Sequence, residues 1–194
     1  TTEAKKYARA LGVPFFASLE ELFQGRLADG VILATPSDVH KNQGVLCAKN
    51  NIPALIEKPL ATTIHDAEAL VTIAQETGIP IISGHYRRFN KQIEAAQKVI
   101  QSGEIGRLIG VSAIWAMKKH DEYYDVDWRT QKGGGPILTN LIHDIDCLRW
   151  ICGDIETVTA HVSNETRGFE VEDSAAITMQ FSSGALGSIF LTDA

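Results

Sequence analysis

The chain has 194 residues, 44% of them hydrophobic and 22% charged, and a formal net charge of -6. This is an ordinary globular composition with room for one large domain or two small ones. An acidic chain without a basic stripe argues against nucleic acid, and no apolar run approaches the ~20 residues that span a bilayer. Three cysteines, Cys47, Cys147 and Cys152, none in a CxxC pair, argue against a disulfide framework and a zinc site and point to a reducing, cytoplasmic compartment.

In chain order, Glu3 to Leu11 reads as a helix stopped by Gly12, and Ser18 with Glu21 forms a capping box for a short second helix. Gly30 to Ala34 is an apolar strand closed by Thr35-Pro36, and Ser37 is placed to cap a helix from Asp38 to about Lys49. Pro53 to Glu57 is a second strand, Thr63 and Asp66 open a helix ending near Gly78, and Pro80 to Gly84 is a third strand. These strands are continuously apolar, which predicts burial on both faces of a parallel sheet with right-handed crossovers. After a helix from about Lys91 to Ser102, the strands lengthen and alternate: Leu108–Trp115, Thr157–Asn164, Ser174–Phe181 and Ala185–Leu191, the last two joined by a Ser182-Ser183-Gly184 turn. The expected fold class is α/β: a partial doubly wound parallel sheet followed by an α+β domain with an open, mainly antiparallel sheet, changing over near Tyr86 to Asn90. The chain opens on Thr1 and closes at Ala194 just after an apolar run, so a piece of a longer protein is expected.

Ligands of open parallel sheets sit outside the carboxyl ends of the strands. Three polar groups fall there: Ala34-Thr35-Pro36-Ser37 with His40, Glu57-Lys58-Pro59, and Gly84-His85-Tyr86-Arg87-Arg88. Lys58 follows a buried strand directly. Desolvation would lower its pKa toward neutrality, where a lysine exchanges protons with an alcohol. The competing reading is a surface ion pair with Glu57, and the tripeptide alone does not decide between them.

Gly133-Gly134-Gly135-Pro136 precedes a helix from Ile137 to Cys152, with Pro136 suited to the first position and Gly153 to the stop. At 3.6 residues per turn, Ile137, Leu138, Leu141, Ile142, Ile145, Leu148 and Cys152 share a core arc. Thr139, His143, Asp146 and Trp150 share another, with Asn140, Asp144 and Cys147 beside it, so His143 is expected to face something other than the core. A neutral imidazole there could hydrogen-bond a substrate hydroxyl. The competing reading is a partly exposed histidine paired with Asp146 or Asp144. A metal site is not expected: neighbouring helical residues diverge around the axis, and there is no HExxH.

Taken together, Val31 to Pro36 with His40, Glu57-Lys58-Pro59-Leu60, Gly84 to Phe89, Gly133 to Gly135 leading to His143-Asp144-Ile145-Asp146 and Trp150, Glu172-Asp173, and Phe181 to Gly187 resemble the glucose-fructose oxidoreductase / inositol dehydrogenase / rhizopine catabolism family over nearly the whole chain. The resemblance implies a partial dinucleotide-binding Rossmann domain over residues 1–88 and a partial substrate and oligomerisation domain over 89–194. It implies NAD or NADP as cofactor and hydride transfer to or from a sugar, polyol or related hydroxylated compound. It also implies a homo-oligomer, dimer or tetramer, built through the antiparallel sheet. By matching position, Lys58 and His143 are catalytic. Ala34, Thr35, Pro36, Ser37, His40, Glu57 and Lys58 line the cofactor, and Tyr86, Arg87, Trp128, Arg129, Thr139 and Asn140 the substrate. The resemblance allows a cis Lys58–Pro59 bond, although X–Pro bonds are mostly trans.

Two departures stand out. Many members carry Asp four residues before the catalytic histidine, where this chain has Thr139. The glycine loop GxGxxG that holds the pyrophosphate, and the acidic residue that selects NAD over NADP, belong upstream of Thr1. Two alternatives remain open: a redox-neutral, NAD-dependent glycoside-cleaving relative, and a non-catalytic ligand-binding or assembly subunit.

Overall fold

The computed structural model describes all 194 residues. The chain divides into two units, Thr1–Gly84 and His85–Ala194.

In the first unit the helices are α1 (Thr2–Leu11), α2 (Leu19–Gln24), α3 (His40–Lys49) and α4 (Ile64–Thr77), and the strands are β1 (Val31–Leu33), β2 (Ala54–Ile56) and β3 (Ile81–Ser83). The helix boundaries follow local chemistry. Thr1, Ser18 and Thr63 accept hydrogen bonds from Ala4, Glu21 and Asp66, and Gly12 and Gly78 close helices in the left-handed region. The Ser18 box is shifted by one position, because the Glu21 carboxylate accepts from Ala17 N. Ser37 does not cap α3. Residues Ser37–Val39 form a single 3₁₀ turn, and the α-helix starts only at His40.

The strands are parallel in the order β1-β2-β3. This order explains one failed expectation. Successive right-handed crossovers to adjacent strands place α3 and α4 on the same side of the sheet. That side buries Leu33, Ala54 and Ile56 against Cys47 and Leu70. The opposite side carries Ile32, Leu55 and Ile82 in register, and Ile32 is 72% and Ile82 57% exposed. The apolar runs are real, but within this chain only one face is covered.

The second unit contains a 3₁₀ turn Tyr86–Phe89, α5 (Lys91–Ser102), β4 (Gly110–Ala116), 3₁₀ turns Asp121–Tyr124 and Asp127–Arg129, a π-helical segment Ile137–Leu141, α6 (Ile142–Cys152), β5 (Ile155–Ser163), β6 (Ser174–Phe181) and β7 (Leu186–Thr192). The sheet order is β4-β7-β6-β5. β5, β6 and β7 are antiparallel, whereas β4 joins β7 in parallel, so the sheet is mixed. Gly184, at φ 84, closes the β6–β7 turn. Alternation along β6 and β7 sends Ala175, Ile177, Met179, Phe181, Ile189 and Leu191 toward Leu141 and Leu148. Phe181, Leu141 and Leu191 are fully buried, each contributing about 1.5–3 kcal/mol. α5 lies beside α6, where Gln97 Nε2 donates to the Trp150 carbonyl at 3.1 Å.

Candidate active-site elements in each unit

In the first unit the predicted cofactor residues gather at the strand carboxyl ends. The backbone ladder between β1 and β2 runs to Glu57 N donating to Leu33 O at 2.9 Å, and Gly84 N donates to Ile56 O at 2.7 Å. Ala34, Thr35 and Pro36 are exposed beyond β1, and Ser37, Glu57 and Lys58 are half-buried. The Thr35 hydroxyl donates to Gln43 Oε1 at 2.6 Å, and the Glu57 carboxylate accepts from the Lys58 amide at 3.2 Å. The Lys58–Pro59 bond is cis. Gly84 is buried against this turn, where a Cβ would lie 3.2 Å from Glu57 Cα and from Ile56 O.

His40 differs from its expected role. It is 1% exposed, with Nδ1 2.9 Å from the Pro59 carbonyl and Nε2 2.9 Å from the Thr35 carbonyl. Both ring nitrogens are engaged by backbone, so the imidazole does not line a cofactor surface as expected from position. The remaining residues suit a dinucleotide, being small or polar and set at the ends of parallel strands. Thr35, Ser37, Glu57 and Lys58 are the side chains that would hold its nearer part. No three His, Cys, Asp or Glu side chains are grouped to hold a metal ion.

In the second unit the segment after β3 is fastened to α6. Arg87 Nη1 donates to Asp144 Oδ1 at 2.9 Å. Arg88 grips Asp146 with both Nε, at 2.7 Å, and Nη2, and its guanidinium lies 4.9 Å from the Trp150 ring centroid. The Arg88 charge is held more firmly by the Asp146 hydrogen bond, against the opposing effect of burial. His85 Nδ1 is 3.9 Å from Asp146 Oδ2, and the Tyr86 ring meets His143 edge-on with centroids 5.4 Å apart. Burial pushes the Asp144 carboxyl up, opposed by the Arg87 charge, and it also pushes up the Cys147 thiol.

His143 is 7% exposed, not the partly exposed histidine of the competing reading, and the carboxylates of Asp144 and Asp146 are held by the two arginines. Arg87, expected to meet substrate, pairs with Asp144 through Nη1. Thr139 and Asn140 lie in the π-helical segment, where Ile142 N donates to Ile137 O across an i→i+5 turn. The Thr139 hydroxyl donates to Gly135 O at 2.9 Å and accepts from Asn140 Nδ2 at 3.0 Å.

The glycine run is explained by close approach. A Cβ on Gly134 would strike the Trp128 carbonyl, and one on Gly135 the Glu172 carboxylate. Glu172 Oε1 in turn accepts from Ile137 N at 3.0 Å, capping the segment that leads into α6. Trp128 is exposed. Arg129 lies 5.4 Å from its ring and 4.0 Å from that of Tyr123, and donates to the Tyr123 carbonyl. Sequence reasoning missed Arg88, Asp146 and Glu172 as site builders. The Arg-Arg and Asp-x-Asp pairs carry complementary charges, a usable signal; nothing local marks Glu172 as a cap 35 residues from its helix.

Residues 1–85 match the family model described as "Oxidoreductase family, NAD-binding Rossmann fold", and residues 93–194 match the GFO/IDH/MocA C-terminal domain. The chain is 31% identical over 191 residues to 2,7-anhydro-N-acetylneuraminate hydratase of Escherichia coli, covering 94% of this chain and 50% of that protein. It is 28% identical over 192 residues to scyllo-inositol 2-dehydrogenase (NAD(+)) of Bacillus subtilis, covering 96% and 55%. The WlbA dehydrogenase of Bordetella pertussis, solved with NADH and UDP-GlcNAcA, superposes with a TM-score of 0.91 at 30% identity, covering 97% of this chain and 56% of that one. The chain thus spans about half the length of these relatives. Two matched models in the expected order, over a parallel sheet followed by a mixed one, make this chain a member of the GFO/IDH/MocA oxidoreductase family.

Proposed function

We propose that the protein to which this chain belongs is an NAD(P)-dependent oxidoreductase acting on a sugar, polyol or related hydroxy or carbonyl compound. The observation that carries the reading is the polar turn Glu57-Lys58-Pro59 at the carboxyl end of the central parallel strand, in a family with an NAD-binding Rossmann fold. When bound, the nicotinamide supplies or receives the hydride. Lys58 and His143 handle the accompanying proton at the substrate oxygen, because Thr139 has no carboxylate to contribute. Tyr86, Trp128 and Asn140 present aromatic and amide groups suited to hydroxyl-rich ligands. Residues 1–88 serve the dinucleotide and 89–194 the substrate and oligomer contacts, in a cytoplasmic protein. The oligomer reading is supported by the outer face of the mixed sheet, where Ile114, Leu186 and Phe190 are exposed. No helix is long and apolar enough to cross a membrane.

The test is NAD(P) reduction by the full-length protein across a sugar and polyol panel, with Lys58→Ala beside it. Loss of general acid–base help predicts a kcat about 10²–10⁴-fold lower; normal turnover in the variant removes Lys58 from the chemistry. A redox-neutral second reading is favoured by Thr139 in place of Asp and by the hydratase name of one relative. Mass spectrometry of products separates them: a net two-electron oxidation supports the first, addition of water or glycoside cleavage the second. Cofactor binding without turnover would leave an assembly or sensing subunit.

A further inference from the structure

The placement of His40 exceeds what packing alone requires. The residue is 1% exposed, and its ring nitrogens lie within hydrogen-bond distance of two turns that the strand ladder does not reach. The last rung between β1 and β2 is Glu57 N to Leu33 O. Just beyond it, Nε2 sits 2.9 Å from the carbonyl of Thr35, in the turn after β1, and Nδ1 sits 2.9 Å from that of Pro59, in the turn after β2. A carbonyl oxygen only accepts, so each ring nitrogen that carries a proton donates to one of these turns. Pro59 is bonded directly to Lys58, and Pro59 itself is buried. The imidazole therefore acts on the backbone immediately after Lys58, from a helix that begins at His40 itself.

We propose that His40 is a positioning residue for Lys58: a proton on Nδ1 donated to the Pro59 carbonyl fixes where the lysine leaves the sheet, while Nε2 lies against the Thr35 carbonyl of the turn after β1 and donates to it only when the ring carries both protons. It contacts neither cofactor nor substrate. The inference rests on the reading of Lys58 as the proton-handling residue.

Two amide substitutions separate the two bonds. In the full-length protein, His40→Asn places its amide near the Nδ1 position and retains the Pro59 bond, whereas His40→Gln reaches the Nε2 position and retains only the Thr35 bond. Misplacing a reacting group by a fraction of an ångström to 1 Å costs up to about 10²-fold. His40→Gln is therefore expected to lower kcat by roughly 10–100-fold with KM and NAD(P) affinity unchanged, and His40→Asn to stay near wild type. Equal losses in both variants, a kept kcat in His40→Gln, or a loss expressed in cofactor affinity would overturn the proposal.

A second readout needs no substrate: competitive amine acylation of lysines, quantified by mass spectrometry. His40→Gln should change the labelling rate of Lys58 relative to Lys41 and Lys49, and His40→Asn should not; an unchanged Lys58 rate in His40→Gln removes the strap. Absence of turnover in the wild type would refute the proposed oxidoreductase and leave the labelling to decide His40. Should an amide variant not fold, nitrogen–proton NMR of the wild-type ring decides: a solvent-protected Nδ1–H supports the strap, and an unprotonated or freely exchanging Nδ1 overturns it.

Discussion

Gly135→Ala tests how the helix carrying His143 is anchored. Gly135 is buried, and its φ lies outside the left-handed region, so an alanine there meets no backbone strain. What it meets is the Glu172 carboxylate, the group that accepts from Ile137 N at 3.0 Å. The added methyl must push that carboxylate away and leave the helix start uncapped. A lost cap costs about 0.5–2 kcal/mol, and an anion removed from a helix N-terminus adds about 0.3–1 kcal/mol, so Gly135→Ala is expected to destabilise by roughly 1–3 kcal/mol. In a Glu172→Ala background the obstacle is gone. There the same substitution is neutral, or stabilises by about 0.4–1 kcal/mol because alanine restricts the unfolded chain. All three tryptophans, Trp115, Trp128 and Trp150, lie between His85 and Ala194, so urea unfolding followed by tryptophan fluorescence reads this unit within the chain. If the cost of Gly135→Ala is the same in both backgrounds to within about 0.5 kcal/mol, the cap is not what the glycine protects, and the account of the glycine run fails.

Two further outcomes follow from packing and charge. At Gly44 a Cβ would lie 2.5 Å from Leu70 Cδ2 and 2.9 Å from Ile56 Cδ1; both side chains are fully buried, so overpacking of about 1–3 kcal/mol outweighs the ~1 kcal/mol gain in helix propensity. Gly44→Ala should lower the thermal midpoint of the first unit by circular dichroism, and a raised midpoint would show slack between α3 and α4. Burial is the main influence holding the Asp193 carboxyl above its ordinary 3.8, against the Tyr124 hydrogen bond and the Arg167 charge. The folded protein keeps this proton where the unfolded chain has released it, so its contribution is whole below pH 3.8 and lost as pH rises through the raised folded value. Asp193→Asn should therefore gain stability relative to wild type as pH rises above about 4, and a flat or falling difference would place the pH sensitivity elsewhere.

Most of the local structure was written in short-range chemistry. Thr63 with Asp66, Ser18 with Glu21, and the left-handed stops at Gly12, Gly78 and Gly103 each act within a few residues, and alternation along Ser174–Phe181 is a property of the strand itself. So is the placing of Thr35, Lys58 and Gly84 at strand ends, since a break in apolar character marks where a parallel strand stops. What the sequence could not determine depends on partners distant along the chain. Ile32 and Ile82 read as buried, but strand order put both crossover helices on the other face. A regular helix is expected from Ile137, but its first five residues wind as a π-turn whose start is capped by Glu172, 35 positions away. Arg87 and Asp144, 57 positions apart, are paired only by the fold. His40 read as a surface-facing neighbour of the cofactor because its spacing from Thr35 is local. Only the fold brings the Pro59 carbonyl to its second nitrogen and turns it from a lining residue into a tie between two strand ends.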